Sequence, residues 1–220
     1  MERGRNKDGG MIAPEGVPFI AGAAALTAVL YYVWPRSLPL AVAGLVVTAF
    51  VSWFFRNPER TPPSAPGAVI SPADGKIVYS GECPPGLYST EPGKKVSVFM
   101  SVFDVHVNRA PVSGRVAAVR YNKGKFLAAN VDKASLENEQ NGVVIETAGG
   151  RKVAYVQIAG LIARRIVCDL AEGDEVVRGQ RVGLIRFGSR VDVYLPADAA
   201  LSVKAGDRVR AGESVVGMLP

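Results

Sequence analysis

Histidine and cysteine are nearly missing from this chain. Among 220 residues there is one histidine, His106, and there are two cysteines, Cys83 and Cys168. Two cysteines in no CxxC arrangement exclude a disulfide-stapled scaffold and a zinc finger. A single histidine excludes a poly-histidine metal site. No Walker loop, dinucleotide-binding glycine fingerprint or HExxH motif is present. Gly-x-Ser-x-Gly, the nucleophile elbow of the α/β-hydrolases, is absent too. Aromatic residues make up only 8%, whereas glycine (24) and proline (15) are plentiful without a collagen-like period. That balance favours short strands and turns over a helical bundle. With 48% apolar and 21% charged residues, the chain is neither a disordered tail nor an acidic solvating segment. Lys and Arg (26) outnumber Asp and Glu (20), for a net charge of +6. Such a surplus favours an anionic surface without being a nucleic-acid signature.

Mean hydropathy is +0.16, high for a soluble domain. Two charge-free apolar stretches explain it, Val17–Trp34 and Leu38–Phe55, of 18 residues each. As helix, each is about 27 Å long, close to the thickness of a bilayer's hydrocarbon core. Tyr31, Tyr32, Trp34, Trp53, Phe54 and Phe55 lie near stretch ends, where aromatic rings favour the membrane interface. A signal peptide fits poorly, because two segments follow one another and neither ends in a small-residue cleavage site. A buried helical hairpin in a soluble core is the competing reading, and the unbroken apolar runs favour the membrane. Arg3, Arg5 and Lys7 precede the first stretch, Arg56 and Arg60 follow the second, and the connector Pro35-Arg36-Ser37 carries one basic residue. The positive-inside bias then puts both ends on the cytoplasmic side of the cell membrane. Both a spanning hairpin and one that dips into a single leaflet satisfy the pattern. The predicted organisation is an N-terminal tail (1–16), a membrane-anchoring helical hairpin (17–56), a Pro-rich linker (57–66, NPERTPPSAP) and a β domain (67–220).

The β domain shows period-2 alternation, as in Lys95–Met100, Val143–Ile145 and Arg190–Leu195. Asn130–Gln140 lacks it and reads as a polar loop with a helical turn. Two internal repeats appear. Pro72-Ala73-Asp74-Gly75-Lys76-Ile77 recurs 39 positions on as Pro111-Val112-Ser113-Gly114-Arg115-Val116. Gly173-Asp174-x-Val176-x-x-Gly179-x-x-Val182 recurs 33 positions on as Gly206-Asp207-x-Val209-x-x-Gly212-x-x-Val215. Gly-Asp turns with core-facing valines are typical of biotinyl/lipoyl-type barrel-sandwich domains, and they mark turns rather than ligands. The fold expectation is mainly β, a barrel-sandwich or lipoyl-like domain after an apolar helical hairpin.

Three spots can carry chemistry. His106 lies in the run Phe99–Pro111, read as a strand, where period 2 puts Asp104, His106 and Asn108 on one face. Three polar side chains on one strand face are costly to bury without a role. Asp74 sits in the turn Ser71-Pro72-Ala73-Asp74-Gly75-Lys76, and Gly188-Ser189 stands between two strands. Taken singly, these are an ordinary core histidine, an ordinary Asp-Gly turn and an ordinary Gly-Ser turn.

Together they form a pattern. Phe54-Phe55-Arg56-Asn57-Pro58-Glu59-Arg60, Ser71-Pro72-Ala73-Asp74-Gly75, Asp104-Val105-His106-Val107-Asn108-Arg109-Ala110-Pro111, Glu137-Asn138-Glu139, Gln157–Ile166 and Gly183-Leu184-Ile185-Arg186-Phe187-Gly188-Ser189 follow one another in this order. In these blocks the chain resembles the short form of the phosphatidylserine decarboxylase family from about Phe54 onward. Three positions depart from the pattern of relatives. Phe187-Gly188-Ser189-Arg190 stands for Leu-Gly-Ser-Thr, Arg109 for a second histidine of the long forms, and Asn138-Glu139-Gln140 for Asn-Glu-Arg.

The resemblance implies a self-made cofactor. Ser189 attacks the Gly188 carbonyl, the amide becomes an ester, and β-elimination splits the chain into 1–188 and 189–220, which stay associated. Residue 189 ends as a pyruvoyl group, the electron sink for decarboxylation of a serine-headed phospholipid, with no metal or external cofactor. By motif match, Asp74 and His106 supply the base and its orienter for Ser189, and His106 the later proton donor. Arg109, Arg164 and Arg165 are candidates for the lipid phosphate. Two other readings stay open. One is the same chemistry on another serine-headed lipid such as archaetidylserine. The other is a non-catalytic membrane-anchored adaptor or carrier, whose only candidate for a modified lysine is Lys76.

Overall fold

The computed structural model describes residues 10–34, 37–86, 88, 91–124, 138–160, 165–186 and 188–220. They fall into two compact units, one up to Glu59 and one from Arg60 on.

In the first unit a short 3-10 turn (Pro14–Gly16) leads into α1 (Val17–Val33), and α2 (Leu38–Phe54) follows. Both helices carry proline in the first turn, where no intrahelical N–H bond is lost. Thr27, Thr48 and Ser52 return their hydroxyls to carbonyls four residues back, so no side-chain polar group among them asks for water. Glycines let the backbone come close: a Cβ on Gly44 would lie 2.5 Å from Thr27, and one on Gly16 2.4 Å from the Phe55 ring. The hairpin's ends are strapped together by Ala13 N–H to the Phe55 carbonyl (2.8 Å) and Asn57 N–H to the Met11 carbonyl (2.7 Å). No side chain of α1 is buried and only Phe54 of α2 is. The helical stretch Pro14–Val33, 20 residues, is long and apolar enough to cross a membrane; α2 is shorter.

The second unit is all β among its described residues. Its strands are β1 (Ala68–Ile70), β2 (Gly75–Cys83), β3 (Gly93–Met100), β4 (Val107–Arg109), β5 (Gly114–Asn122), β6 (Gln140–Glu146) and β7 (Lys152–Ala159). There follow β8 (Ile166–Cys168), β9 (Glu175–Val176), β10 (Arg181–Ile185), β11 (Ser189–Pro196), β12 (Ala200–Leu201), β13 (Arg208–Val209) and β14 (Val215–Met218). One curled sheet runs β13-β2-β3-β11-β7-β6-β5-β9, and two small sheets run β1-β14-β12 and β4-β10-β8. Alternation decides the core face: Val96, Val98 and Met100 of β3, Val191 and Val193 of β11, and Val143 and Ile145 of β6 point inward. Each such side chain contributes about 1.5–3 kcal/mol by leaving water. The protein is thus mainly β, a sandwich preceded by an apolar helical pair.

The two sequence repeats are two halves that exchange bonds. Arg109 N–H donates to the Pro72 carbonyl and Ile70 N–H to the Pro111 carbonyl, both at 3.0 Å. Gly212 N–H reaches Ser71 as Gly179 N–H reaches Ala110, both at 2.9 Å. Ile77 N–H meets Asp207 as Val116 N–H meets Asp174, both at 2.8 Å. This reciprocity is the signature of an internal two-fold. It equates β1 with β4, β2 with β5, β3 with β6, β7 with β11 and β9 with β13. Gly75 and Gly114 are equivalent and sterically required, because a Cβ would lie 2.1 Å from the Phe99 carbonyl oxygen and 2.2 Å from that of Glu146.

One expectation meets a different structure. Phe99–Pro111 is not one strand: β3 ends at Met100, and a turn at Ser101–Asp104 precedes β4. The Asp104 carboxylate makes that turn, accepting Ser101 N–H (2.8 Å) and Ser101 Oγ (2.7 Å), so Asp104 does not share a strand face with His106 and Asn108. From Arg60 on, the Pro-rich linker lies with the β domain. The Arg178 guanidinium donates to the carbonyls of Pro63 (2.6 Å), Ala65 and Ala68 (both 2.9 Å) and holds it on the β domain. Most of the expected loop Asn130–Gln140 lies outside the described residues; its end, Gln140, opens β6.

Candidate active site

Gly188 enters β11 with φ +64, a left-handed conformation that glycine adopts without a Cβ penalty. Ser189 then pairs with Met100 of β3 on one side and Ala159 of β7 on the other. The serine is fully buried, and its hydroxyl donates to the Met100 sulfur at 3.4 Å. A thioether is a weak acceptor, so the hydroxyl is held loosely. On the opposite face of β11 the Arg190 guanidinium forks onto Asp192 (2.8 and 2.9 Å). Both partners are buried, and the pair fixes the strand just after Ser189.

The inward face near Ser189 is not wholly apolar. Asn108, from β4, turns its Nδ2 to the Pro72 carbonyl (3.4 Å) and the Met100 sulfur (3.9 Å). Gln157, from β7, donates to Asn108 Oδ1 (3.0 Å) and to the Val167 carbonyl (3.3 Å), and accepts from Asn141 Nδ2 (3.1 Å). All three amides are essentially inaccessible to solvent.

His106 is buried just before β4. Its Nδ1 lies 3.0 Å from the Asp104 carbonyl, and its own carbonyl accepts Ile185 N–H at 3.4 Å, three residues before Gly188. A carbonyl only accepts, so Nδ1 carries the proton of the neutral ring and Nε2 its lone pair. Asp74 ends the turn before β2, on the far side of β3 from Ser189. Its carboxylate accepts Ala211 N–H at 2.7 Å and pairs with Arg60 at 3.0 Å, and Arg60 also meets Glu213 at 3.0 Å.

Of the candidate arginines, Arg109 is buried and donates to the Gly179 carbonyl at 2.8 Å. Arg165 is exposed just before β8, and Arg164 lies outside the described residues. Lys76 is exposed within β2, paired with Phe99 and Arg208, not at the hairpin tip where a carrier lysine is displayed. Among the described residues no group of three or more His, Cys, Asp or Glu is placed to hold a metal ion. A cleft of about 720 Å³ lies at Gly114–Ala117, Glu146–Ala148 and Glu172–Glu175, in the half that lacks the Gly-Ser pair. There Gly150 (φ +73) and Arg151 stand where Gly188 and Ser189 stand in the other half, and they form a plain hairpin with Thr147.

Sequence reasoning missed Met100, Gln157, Arg60 and the Arg190–Asp192 pair. Gln157 had a signal: it is a polar residue at an inward position of the alternating strand Lys152–Ala159.

Residues 47–217 match the family described as phosphatidylserine decarboxylase. Relatives named phosphatidylserine decarboxylase proenzyme are 54% identical in Geobacter metallireducens and 53% in Geobacter sulfurreducens, over 95% of this chain and 97% of each relative. One from Saccharopolyspora erythraea is 49% identical over 94% of this chain and 87% of the relative. The chain belongs to the phosphatidylserine decarboxylase family. As a member it is a decarboxylase, and the matched span reaches from within α2 into β14. Of the blocks of the family pattern, the Gly-Ser pair lies at the entry to β11, the histidine block at β4, and the aspartate block at the turn into β2.

Proposed function

We propose that this chain decarboxylates phosphatidylserine to phosphatidylethanolamine, using a pyruvoyl group that it makes by cutting itself at Gly188–Ser189. The observation that carries this reading is a fully buried serine directly after a left-handed glycine, with its hydroxyl resting only lightly on a sulfur. The relatives' names supply the substrate, and the word proenzyme in them fits a chain that matures by cleavage.

The chemistry balances on the chain's own atoms. Ser189 Oγ bonds to the Gly188 carbonyl carbon, the Gly188–Ser189 C–N bond breaks, and the hydroxyl proton passes to the freed nitrogen. A base then removes the Cα proton of residue 189, the Cβ–O bond breaks, and the first chain leaves with a Gly188 carboxylate. Hydrolysis of the remaining enamine releases ammonia and leaves the pyruvoyl end. His106 is the group for these transfers, because Nε2 of its neutral ring carries a lone pair and Nδ1–H is held by a carbonyl. Asp74 supports it as a fixed negative charge whose orientation Ala211 and Arg60 set.

The site fits the group. A pyruvoyl end is about the size of serine, and Met100 and Asn108, which meet at that place, are the residues that would hold it. When present it supplies an electron sink for the pair left behind by CO2. Arg165, exposed beside β8, suits the lipid phosphate better than the buried Arg109. The apolar hairpin (17–56) anchors the catalytic domain (67–220) at the cytoplasmic face of the cell membrane, where the substrate lies. The two pieces stay together because β11 is laddered on both edges.

Intact-mass measurement tests this directly. The purified protein should appear as pieces 1–188 and 189–220, the second lacking its amine, and should release CO2 from phosphatidylserine vesicles. Ser189→Ala should give one uncut, inactive chain. Cleavage of the alanine variant at the same bond would overturn the assignment.

A further inference from the structure

The internal two-fold shows what the fold itself asks for at each position. Asn108 corresponds to Val69, 39 positions earlier, and Gln157 to Leu195, 38 positions later. Val69 and Leu195 are buried core residues. The fold is therefore satisfied by apolar side chains of similar size at both places, and in that half it uses them. In the other half both are replaced by amides, and across the two-fold its Asn108 meets Met100, the β3 neighbour of Ser189. A buried amide costs stability unless every group is well bonded. These two are well bonded everywhere except at one end. Asn108 Oδ1 is held firmly by Gln157 at 3.0 Å, while its Nδ2 has only a long contact to Pro72 (3.4 Å) and a weak one to the Met100 sulfur (3.9 Å). The same sulfur holds the Ser189 hydroxyl at 3.4 Å. So a clamped amide and the nucleophile share one poor acceptor.

We propose that Asn108 donates to the Ser189 oxygen during self-cleavage, and that Gln157 is the residue that positions Asn108 for it. As Ser189 Oγ gives up its proton and turns from Met100, it gains negative charge. An N–H group already aimed at that place and bonded to nothing strong needs no reorganisation to receive it. Gln157 acts only through Asn108, by fixing the amide's carbonyl end so that its NH2 end faces the sulfur. The inference rests on the proposed cleavage at Gly188–Ser189 and adds two residues to it.

The test is the rate of appearance of piece 189–220 in freshly made full-length protein, read by mass spectrometry beside a thermal melt. Asn108→Val, which installs the other half's residue, should fold with a melting temperature within a few degrees of wild type. Its cleavage should be roughly 100- to 1000-fold slower, the usual effect of removing one such donor. Gln157→Glu keeps the bond from Asn141 and loses those to Asn108 and the Val167 carbonyl, so cleavage should slow roughly 10-fold or more. If Asn108→Val melts early, Gln157→Glu carries the test. Wild-type cleavage rates in these variants would overturn the proposal, and so would slowing that merely follows lost stability. A wild-type chain that is never cut would overturn this proposal and the reading beneath it together. Normal wild-type cutting with normal variants would remove this one alone.

Discussion

Asp74 and Ser113 perform the same structural task in the two halves of the β domain. Asp74 Oδ1 accepts Ala211 N–H at 2.7 Å, and Ser113 Oγ accepts Arg178 N–H at 2.9 Å, 33 positions earlier in the repeat. A serine suffices for the cap. What Asp74 adds is a negative charge, steadied by Arg60 at 3.0 Å.

That comparison sets up a substitution in which folding and chemistry separate. Asp74→Ser should retain the cap on Ala211, and Arg60 should keep Glu213 as a partner. The lost charged bond costs about 1–3 kcal/mol, a drop of several degrees in the melt. Cleavage at Gly188–Ser189 should fall far more, by roughly 100-fold. A variant that cuts itself at the wild-type rate would leave Asp74 a turn cap and nothing else.

His106→Ala should stay uncut and release no CO2 if, as proposed, one imidazole serves both steps. Arg109 cannot replace it, since a guanidinium stays protonated. Mass spectrometry beside a CO2 assay reads both steps. Normal cutting with slow turnover would confine His106 to decarboxylation, and normal values of both would remove it from the site.

Glycine at 188 is needed for its backbone angle, not for room. A Cβ there would meet no heavy atom of the described residues within 4 Å beyond its chain neighbours, whereas at Gly75 it would strike the Phe99 carbonyl at 2.1 Å. Gly188→Ala should therefore lose only about 1–2 kcal/mol, from the left-handed φ, and still fold. Gly75→Ala should lose more, because the β2–β3 junction must move. Paired urea melts rank the two, and the reverse order would contradict the conformation assigned to Gly188.

Stability should decline in alkali. Burial pushes the Cys168 thiol above its ordinary 9.0 and the Tyr155 hydroxyl well above 10.0. With folded values raised, their stabilising effect is whole below pH 9 and fades as the unfolded chain ionises above it. Circular-dichroism melts from pH 7 to about 11 should show the fall, and Tyr155→Phe should flatten its upper part. A pH-independent melt would mean these groups ionise as readily folded as unfolded.

Much of this architecture is legible locally. Unbroken apolar runs announce the helices, period-2 alternation announces β3 and β11, and the Gly-Asp repeats announce turns, because each depends on neighbouring residues alone. The Gly188–Ser189 pair is visible only as part of an ordered set of blocks. What stays hidden depends on contacts distant in sequence. Ser101–Asp104 looks like strand until the Asp104 carboxylate is seen to close it on Ser101. Arg60 looks like a linker charge until it meets Asp74 and Glu213. Gln157 looks like one polar residue in a strand until the two-fold sets it beside Leu195.

The place of β11 has a consequence for the life history of the molecule. It lies inside the eight-stranded sheet, between β3 and β7, not at an edge. Ser189 reaches its buried position only when both neighbours are already laddered to it, so in the proposed maturation assembly precedes the cut. Before the cut, folding is a unimolecular event of one chain. After the proposed cut the same sheet would be a two-component complex, and a denatured sample would have to bring a separate 32-residue piece, residues 189–220, back into the middle of the sheet. Recovery would then depend on concentration and compete with aggregation. A chain that matures by such a cut would fold efficiently only once.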